Sequence, residues 1–197
     1  MNAEFKRIPG FPLLIAVLGL VAAIVLTAFL PERYQYGTEI VVSRNVDRTW
    51  KSFTDPPKWK KTFPAIQSVD ESFSGKRGVG EEIKVETLFP GGKDFIAKLI
   101  ITDWVKGEVI EDRHAGDWLN GRPLPVSNVN DRIEFAPAGK NKTKITFRES
   151  FEVKGPVNKW IAYFFVKPAA SRMLAEFLND YNENVKRGKG NTGKSQG

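Results

Sequence analysis

Hydrophobic and polar positions along the chain follow three rhythms. From Phe11 to Leu30 the sequence FPLLIAVLGLVAAIVLTAFL carries no charged side chain, with Lys6 and Arg7 before it and Glu32 and Arg33 after it. At 1.5 Å per residue a helix of that length reaches about 30 Å, the hydrocarbon thickness of a bilayer. A transmembrane anchor over 11–30 is therefore expected behind a short flank, 1–10. A cleaved secretory signal fits less well. Its apolar stretch is usually about 7–15 residues long, and Leu26-Thr27-Ala28 puts a large side chain first in the cleavage motif.

The second rhythm has a period of two. From Thr38 to Val46, Ile66 to Phe73, Glu81 to Leu88, Asp94 to Val105, Glu108 to His114, Val129 to Pro137 and Thr143 to Val153, β-branched and aromatic residues alternate with polar ones. These read as strands joined mainly by short turns, which implies an antiparallel meander with one buried face. Between the first two, Asp47 as N-cap and Asp55-Pro56 start two short helices, the second ending at Pro64. The exception to short turns is Ala115 to Asn128, a long connection holding Trp118, Leu119, Leu124 and Pro125. A loop of that length is often functional. Strict alternation turns Phe95, Leu99 and Ile101 to one face. It does the same for Asp131, Ile133 and Phe135, and for Ile145, Phe147, Glu149 and Phe151. A single bulge would flip half of such an assignment.

The third rhythm is helical. After Gly155-Pro156, apolar residues recur at Val157, Trp160, Ile161, Phe164 and Phe165, and beyond Pro168 at Met173, Leu174, Phe177, Leu178, Tyr181 and Val185. The two arcs lie roughly 130° apart on a regular helix, so one straight helix cannot bury both. An interior proline breaks or kinks a helix. The pattern predicts a short helix to Val166, a break, and a long helix to Lys186. An α+β domain over 36–187 is the result.

Charge changes this picture little. The formal charge is +7, but Lys186, Arg187, Lys189 and Lys194 supply most of it, with no acid after Glu183. That basic tail, 188–197, has a disordered composition. The domain itself lacks the basic face with interleaved aromatics that nucleic acid requires, so no nucleic-acid partner is expected. Lys58-Trp59-Lys60-Lys61 reads as a solvated face with Trp59 packed inward, or as a contact for anionic headgroups.

Candidate chemistry is sparse. His114 is the single histidine and there is no cysteine. Metal sites built on His/Cys clusters and a cysteine nucleophile are thereby excluded, and no cofactor or metal is expected. Asp112, His114 and Asp117 could form an acid–base group at the mouth of the long loop, although a lone histidine at a strand end usually lies on the surface. Asp131 and Glu149 interrupt otherwise apolar rows. An acid on a buried face must be paired or meet water. Either they sit near a strand end or pair with Arg113 or Arg132, or they line a wet cavity and orient a ligand's polar end.

The order strand, two short helices, six-strand meander and long C-terminal helix resembles the START-like, or SRPBCC, superfamily. Within it the chain looks most like the polyketide cyclase/dehydrase and lipid transport group. The likeness is carried by TEIVVSRNVDRTWKSFTDPPKWKKTFPAIQSVD, DRIEFAPAGKNKTKITFRESFEV and GPVNKWIAYFFVKPAASRMLAEFLNDYNENVKR. It implies a helix-grip fold, in which a curved antiparallel sheet wraps the C-terminal helix around an apolar cavity. Members bind lipids, sterols, polyketides or other hydrophobic ligands, and only some are enzymes.

On this footing the expected ligand-binding residues are Phe95, Leu99, Ile101, Trp118, Ile133, Phe135, Phe147, Glu149, Phe151, Phe164, Met173 and Phe177. The weak catalytic candidates are His114, Asp131 and Glu149. The leading expectation is a single-pass membrane protein whose domain binds a hydrophobic small molecule or lipid. The alternatives are a cyclase/dehydrase-like enzyme on a hydrophobic substrate and an interaction module with a filled cavity. Lys6 and Arg7 against Arg33 and Arg44 give almost no charge asymmetry. The short N-terminal flank favours an exported domain, on the periplasmic or extracellular side.

Overall fold

A computed structural model describes residues 11–70, 78–89 and 92–192. The expected flank 1–10, the end of the second predicted strand at 71–73 and the tail residues 193–197 lie outside these. Helix α1 runs Phe11–Ala28 and closes with N–H bonds from Phe29 and Leu30 to the Leu26 and Thr27 carbonyls. Among the described residues no helix is long and apolar enough to cross a membrane. At 18 residues, α1 is about 27 Å long, shorter than the span expected over 11–30. Leu18, Leu20 and Leu26 stand exposed on it, as does Phe29 just beyond its end, whereas Thr27 is buried.

Strand β1 (Arg33–Val42) begins five residues before its expected start, because it pairs along its whole length with β8 (Thr143–Glu152). Gly37 is required there: a Cβ at this position would lie 2.6 Å from the Phe147 carbonyl oxygen. Helix α2 (Val46–Phe53) is capped by Asn45, not Asp47, and the Asn45 side chain accepts from the Arg48 N–H at 3.0 Å. Asp47 instead lies in the first turn, where a carboxylate favours the helix dipole. A 3-10 turn at Pro56–Lys58 leads into α3 (Trp59–Thr62). Lys58, Lys60 and Lys61 are exposed and Trp59 is half-buried, donating its Nε1–H to the Phe53 carbonyl at 3.1 Å.

The remaining strands are β2 (Ile66–Asp70), β3 (Glu82–Phe89), β4 (Lys93–Val105), β5 (Val109–Leu119), β6 (Arg122–Pro123) and β7 (Ser127–Pro137). All pair antiparallel in one sheet of order β1-β8-β7-β5-β4-β3-β2, with β6 added to β5. The long loop expected at 115–128 is thus mostly strand. Asn120 and Gly121, both at positive φ, make the tight turn from β5 to β6, a conformation that Asn and Gly tolerate best.

At the C-terminus α4 (Pro156–Ile161) passes through a π turn (Ala162–Val166) into α5 (Lys167–Thr192). The expected break does not occur. The π turn absorbs the irregularity just before Pro168, where the proline lacks an N–H to donate. The backbone also stays helical to Thr192, past the start of the predicted disordered tail. The two apolar arcs do face different ways. Leu174, Leu178, Tyr181 and Val185 are buried against the sheet, whereas Val157, Phe164 and Phe165 are exposed. The main core joins α2, the sheet and α5 through Trp50, Phe53, Phe63, Phe135, Ile145 and Tyr181.

Candidate ligand-binding site

Between the concave sheet face and α5 lies a cavity of about 830 Å³. Its walls are mostly apolar. Phe95, Leu99, Ile101, Ile133, Phe147 and Phe151 line it from the sheet, and Met173 and Phe177 from α5. Ile161 and Phe165 border it from the helix before α5, and Leu124, Pro125 and Val126 from the segment after β6. Such a concavity, apolar with a few convergent polar groups, is the usual form of a small-molecule site. The space is not filled by the protein's own aromatics, as the interaction-module alternative required.

The polar groups form a row across four strands. Tyr36 on β1 pairs with Glu149 on β8, Glu149 with Asp131 on β7, and Asp131 with Asp112 on β5. His114 follows Asp112 by two residues on the same face. Opposite it the register slips: Leu99 pairs with His114 but Lys98 with Gly116, leaving Ala115 as an extra residue. That bulge brings Asp117 back to the inner face. His114 Nδ1 lies 2.6 Å from Asp117 Oδ1, and Nε2 lies 3.3 Å from Asp131 Oδ2 and 3.7 Å from Asp112 Oδ1. The side chains of Asp112, His114 and Asp117 are at most 8 % exposed.

Burial sets the electrostatics. Loss of water, then the adjacent Asp131 charge, hold the Asp112 carboxyl well above its ordinary range. The same causes push Glu149 up to about 8. Burial also raises Tyr36, with Glu149 next to it adding to the effect. For His114 burial opposes the charged form, but Asp131 and the Asp117 hydrogen bond outweigh it and hold the imidazole well above 6.5. Arg132 does not neutralise this group. It lies on the other face, bound to Glu111 at 2.6 Å and Glu134 at 2.9 Å. Arg113 is likewise exposed. Asp112 Oδ1 and Asp131 Oδ1 are buried without a hydrogen-bond partner.

The weak catalytic candidates His114, Asp131 and Glu149 therefore converge inside the cavity, and His114 is not on the surface. Three expected ligand residues do not reach it. Trp118 alternates with inward-facing Asp117 and Leu119, so its ring points outward, 5.5 Å from Lys98 Nζ. Phe135 is buried behind α2, edge-on to Trp50 at 5.4 Å and to Phe53 at 5.2 Å. Phe164 stacks on Trp160 at 5.3 Å and is 52 % exposed. Tyr36 was missed; its signal is its place on the first strand, paired with the last.

A curved sheet gripping a C-terminal helix around a cavity defines the START-like helix-grip class. Solved structures share it, three of them as follows. A START superfamily protein from Mycobacterium smegmatis is 13% identical with a TM-score of 0.60, the match covering 78% of this chain and 97% of that one. The Zhui aromatase/cyclase from Streptomyces sp. R1128 is 14% identical with a TM-score of 0.60, covering 79% and 94%. Norcoclaurine synthase from Thalictrum flavum, in complex with dopamine and hydroxybenzaldehyde, is 16% identical with a TM-score of 0.58, covering 83% and 92%. No curated protein matches the chain in sequence. The chain belongs to the polyketide cyclase / dehydrase and lipid transport family, whose model matches residues 35–186.

Proposed function

We propose that the domain holds a hydrophobic small molecule or lipid in the cavity, with α1 keeping it at a membrane and the domain on the exported side. The observation that carries the binding claim is the cavity itself, about 830 Å³, apolar along its walls and polar at one row. The ligand's apolar body lies among Phe147, Phe151, Met173 and Phe177, and its polar end meets the His114 group. Two features support the membrane. The exposed apolar α1, about 27 Å long, approaches the hydrocarbon thickness, and a bilayer thins locally to meet a shorter span. In addition, Trp160 Nε1–H donates to Thr27 Oγ1 at 2.6 Å, which sets exposed Val157 and Phe164 on the same helix that docks α1.

Organic extraction of the purified full chain, followed by mass spectrometry, tests the binding claim. A discrete hydrophobic compound is expected, and an empty extract from a chain that takes up no added lipid overturns it. Alkaline washing of membranes tests the anchor: the chain stays with the lipid if α1 is inserted and is released if it is not.

A second reading is favoured by one observation, the histidine held between carboxylates inside the cavity. Such a group can act as general base and acid, which suits a cyclase/dehydrase-like enzyme. Incubating the extracted compound with the chain separates the readings, since a carrier returns it unchanged and an enzyme converts it.

A further inference from the structure

We infer that Asp112, His114 and Asp131 form a binding site for a divalent transition-metal ion of the zinc class at the floor of the cavity. The lack of His/Cys clusters excludes sites built on those ligands, but not a site of one imidazole and two carboxylates. One donor atom from each of the three residues lies within 4.8 Å of the others. Bonds of about 2.0–2.2 Å from a metal to its ligands hold neighbouring ligand atoms roughly 3.0–3.6 Å apart. The 3.3 Å from His114 Nε2 to Asp131 Oδ2 already has that spacing, and the 3.7 Å to Asp112 Oδ1 nearly so.

Orientation agrees with distance. A ligating histidine is normally fixed by its other ring nitrogen, which donates to a carboxylate. Asp117 Oδ1, 2.6 Å from Nδ1, occupies that place and aims Nε2 at Asp112 and Asp131. The independent sign of a ligand is the pair of buried oxygens, Asp112 Oδ1 and Asp131 Oδ1, that have no hydrogen-bond partner on side chains that line the cavity. Binding displaces the protons that Asp112 and the His114 Nε2 hold in the metal-free protein; the resulting two carboxylates and neutral imidazole carry a charge of about −2, which a divalent ion cancels. Mixed nitrogen and oxygen donors suit zinc, manganese or ferrous iron better than soft copper(I) or all-oxygen calcium.

Three protein ligands leave coordination positions free toward the cavity. There an oxygen of the bound molecule completes the shell, so the metal fixes the ligand's polar end. Only this last step rests on the proposed ligand-binding function.

The test uses the full chain without a polyhistidine tag, purified with chelator and titrated with Zn²⁺ by calorimetry and with Co²⁺ by visible absorption. One equivalent should bind, with cobalt ligand-field bands. Asp131→Asn and His114→Gln should each weaken binding at least tenfold. Asp117→Asn should weaken it by roughly 10–100-fold while keeping the stoichiometry. Because His114 is the only histidine, ¹⁵N NMR of the wild-type imidazole reports ligation without ambiguity, even where a variant fails to fold. A folded chain that binds neither ion overturns the inference, as does a His114 Nε2 resonance unmoved at zinc saturation. Metal binding with no lipid uptake would remove the carrier reading alone.

Discussion

Truncating Phe63 tests how the short helices are held over the sheet. Phe63 follows α3 and is 1 % exposed. Its ring stacks face to face on Phe177 of α5 at 4.3 Å and meets Phe53 edge-on at 5.1 Å. Phe63→Ala removes this junction. Core Phe→Ala changes cost about 3–5 kcal/mol, the spread reflecting how far neighbours can close the void. Here the ring also borders the cavity, so the void joins existing space and cannot be closed. A loss of about 4 kcal/mol is expected, and in a domain of this size it lowers Tm by roughly 8–16 °C. Urea and thermal unfolding followed by tryptophan fluorescence measure it. A loss under about 1 kcal/mol would refute the claim that this aromatic junction organises the core, since changes that small are typical of surface sites.

Phe165→Ala is the contrasting change: the residue is 71 % exposed yet borders the cavity, so stability should move by less than about 0.5 kcal/mol while uptake of lipid from vesicles slows. Equal uptake would show that the exposed apolar arc plays no part in loading. Trp160→Phe deletes the hydrogen bond to Thr27, worth about 1 kcal/mol; faster hydrogen exchange in α4 is expected, and unchanged protection would mean that α1 does not dock there. In metal-free protein, Glu149 keeps its proton in the folded state up to about pH 8 but releases it near 4.5 when unfolded. The folded state then binds more protons across that window, so stability falls as pH rises from about 4.5 to about 8. Glu149→Gln should flatten the slope of unfolding free energy against pH, and an unaltered slope would contradict the burial argument.

The sequence was most legible where one local rule dominated. Period-two alternation identified most of the strands, and the phase mismatch between the arcs around Pro168 agrees with Leu174 and Leu178 being buried while Val157 and Phe164 are exposed. The helix continued nonetheless, because a π turn is an alternative to a break that spacing alone does not reveal. Trp118, expected in the loop 115–128, lies on β5 instead. The bulge at Ala115 shifts the parity of β5, keeping Asp112, His114 and Asp117 on one face and turning Trp118 away. Phe135 has inward parity, but α2 covers it, which is tertiary information. The polar row was half legible: Asp112, His114 and Asp117 formed one local group, Asp131 and Glu149 another. Only the β5–β7–β8–β1 register joins the two groups and adds Tyr36.

The central claim is that the cavity binds one hydrophobic molecule. Native mass spectrometry of the full chain released from detergent micelles measures this directly, compared with Ala97→Trp, which places an indole in the cavity from a buried wall position. The account predicts a single hydrophobic adduct per wild-type chain, present on isolation or after lipid is added, and its loss in a folded Ala97→Trp variant. A bare wild-type mass under both conditions, or an adduct that persists unchanged in Ala97→Trp, would contradict it.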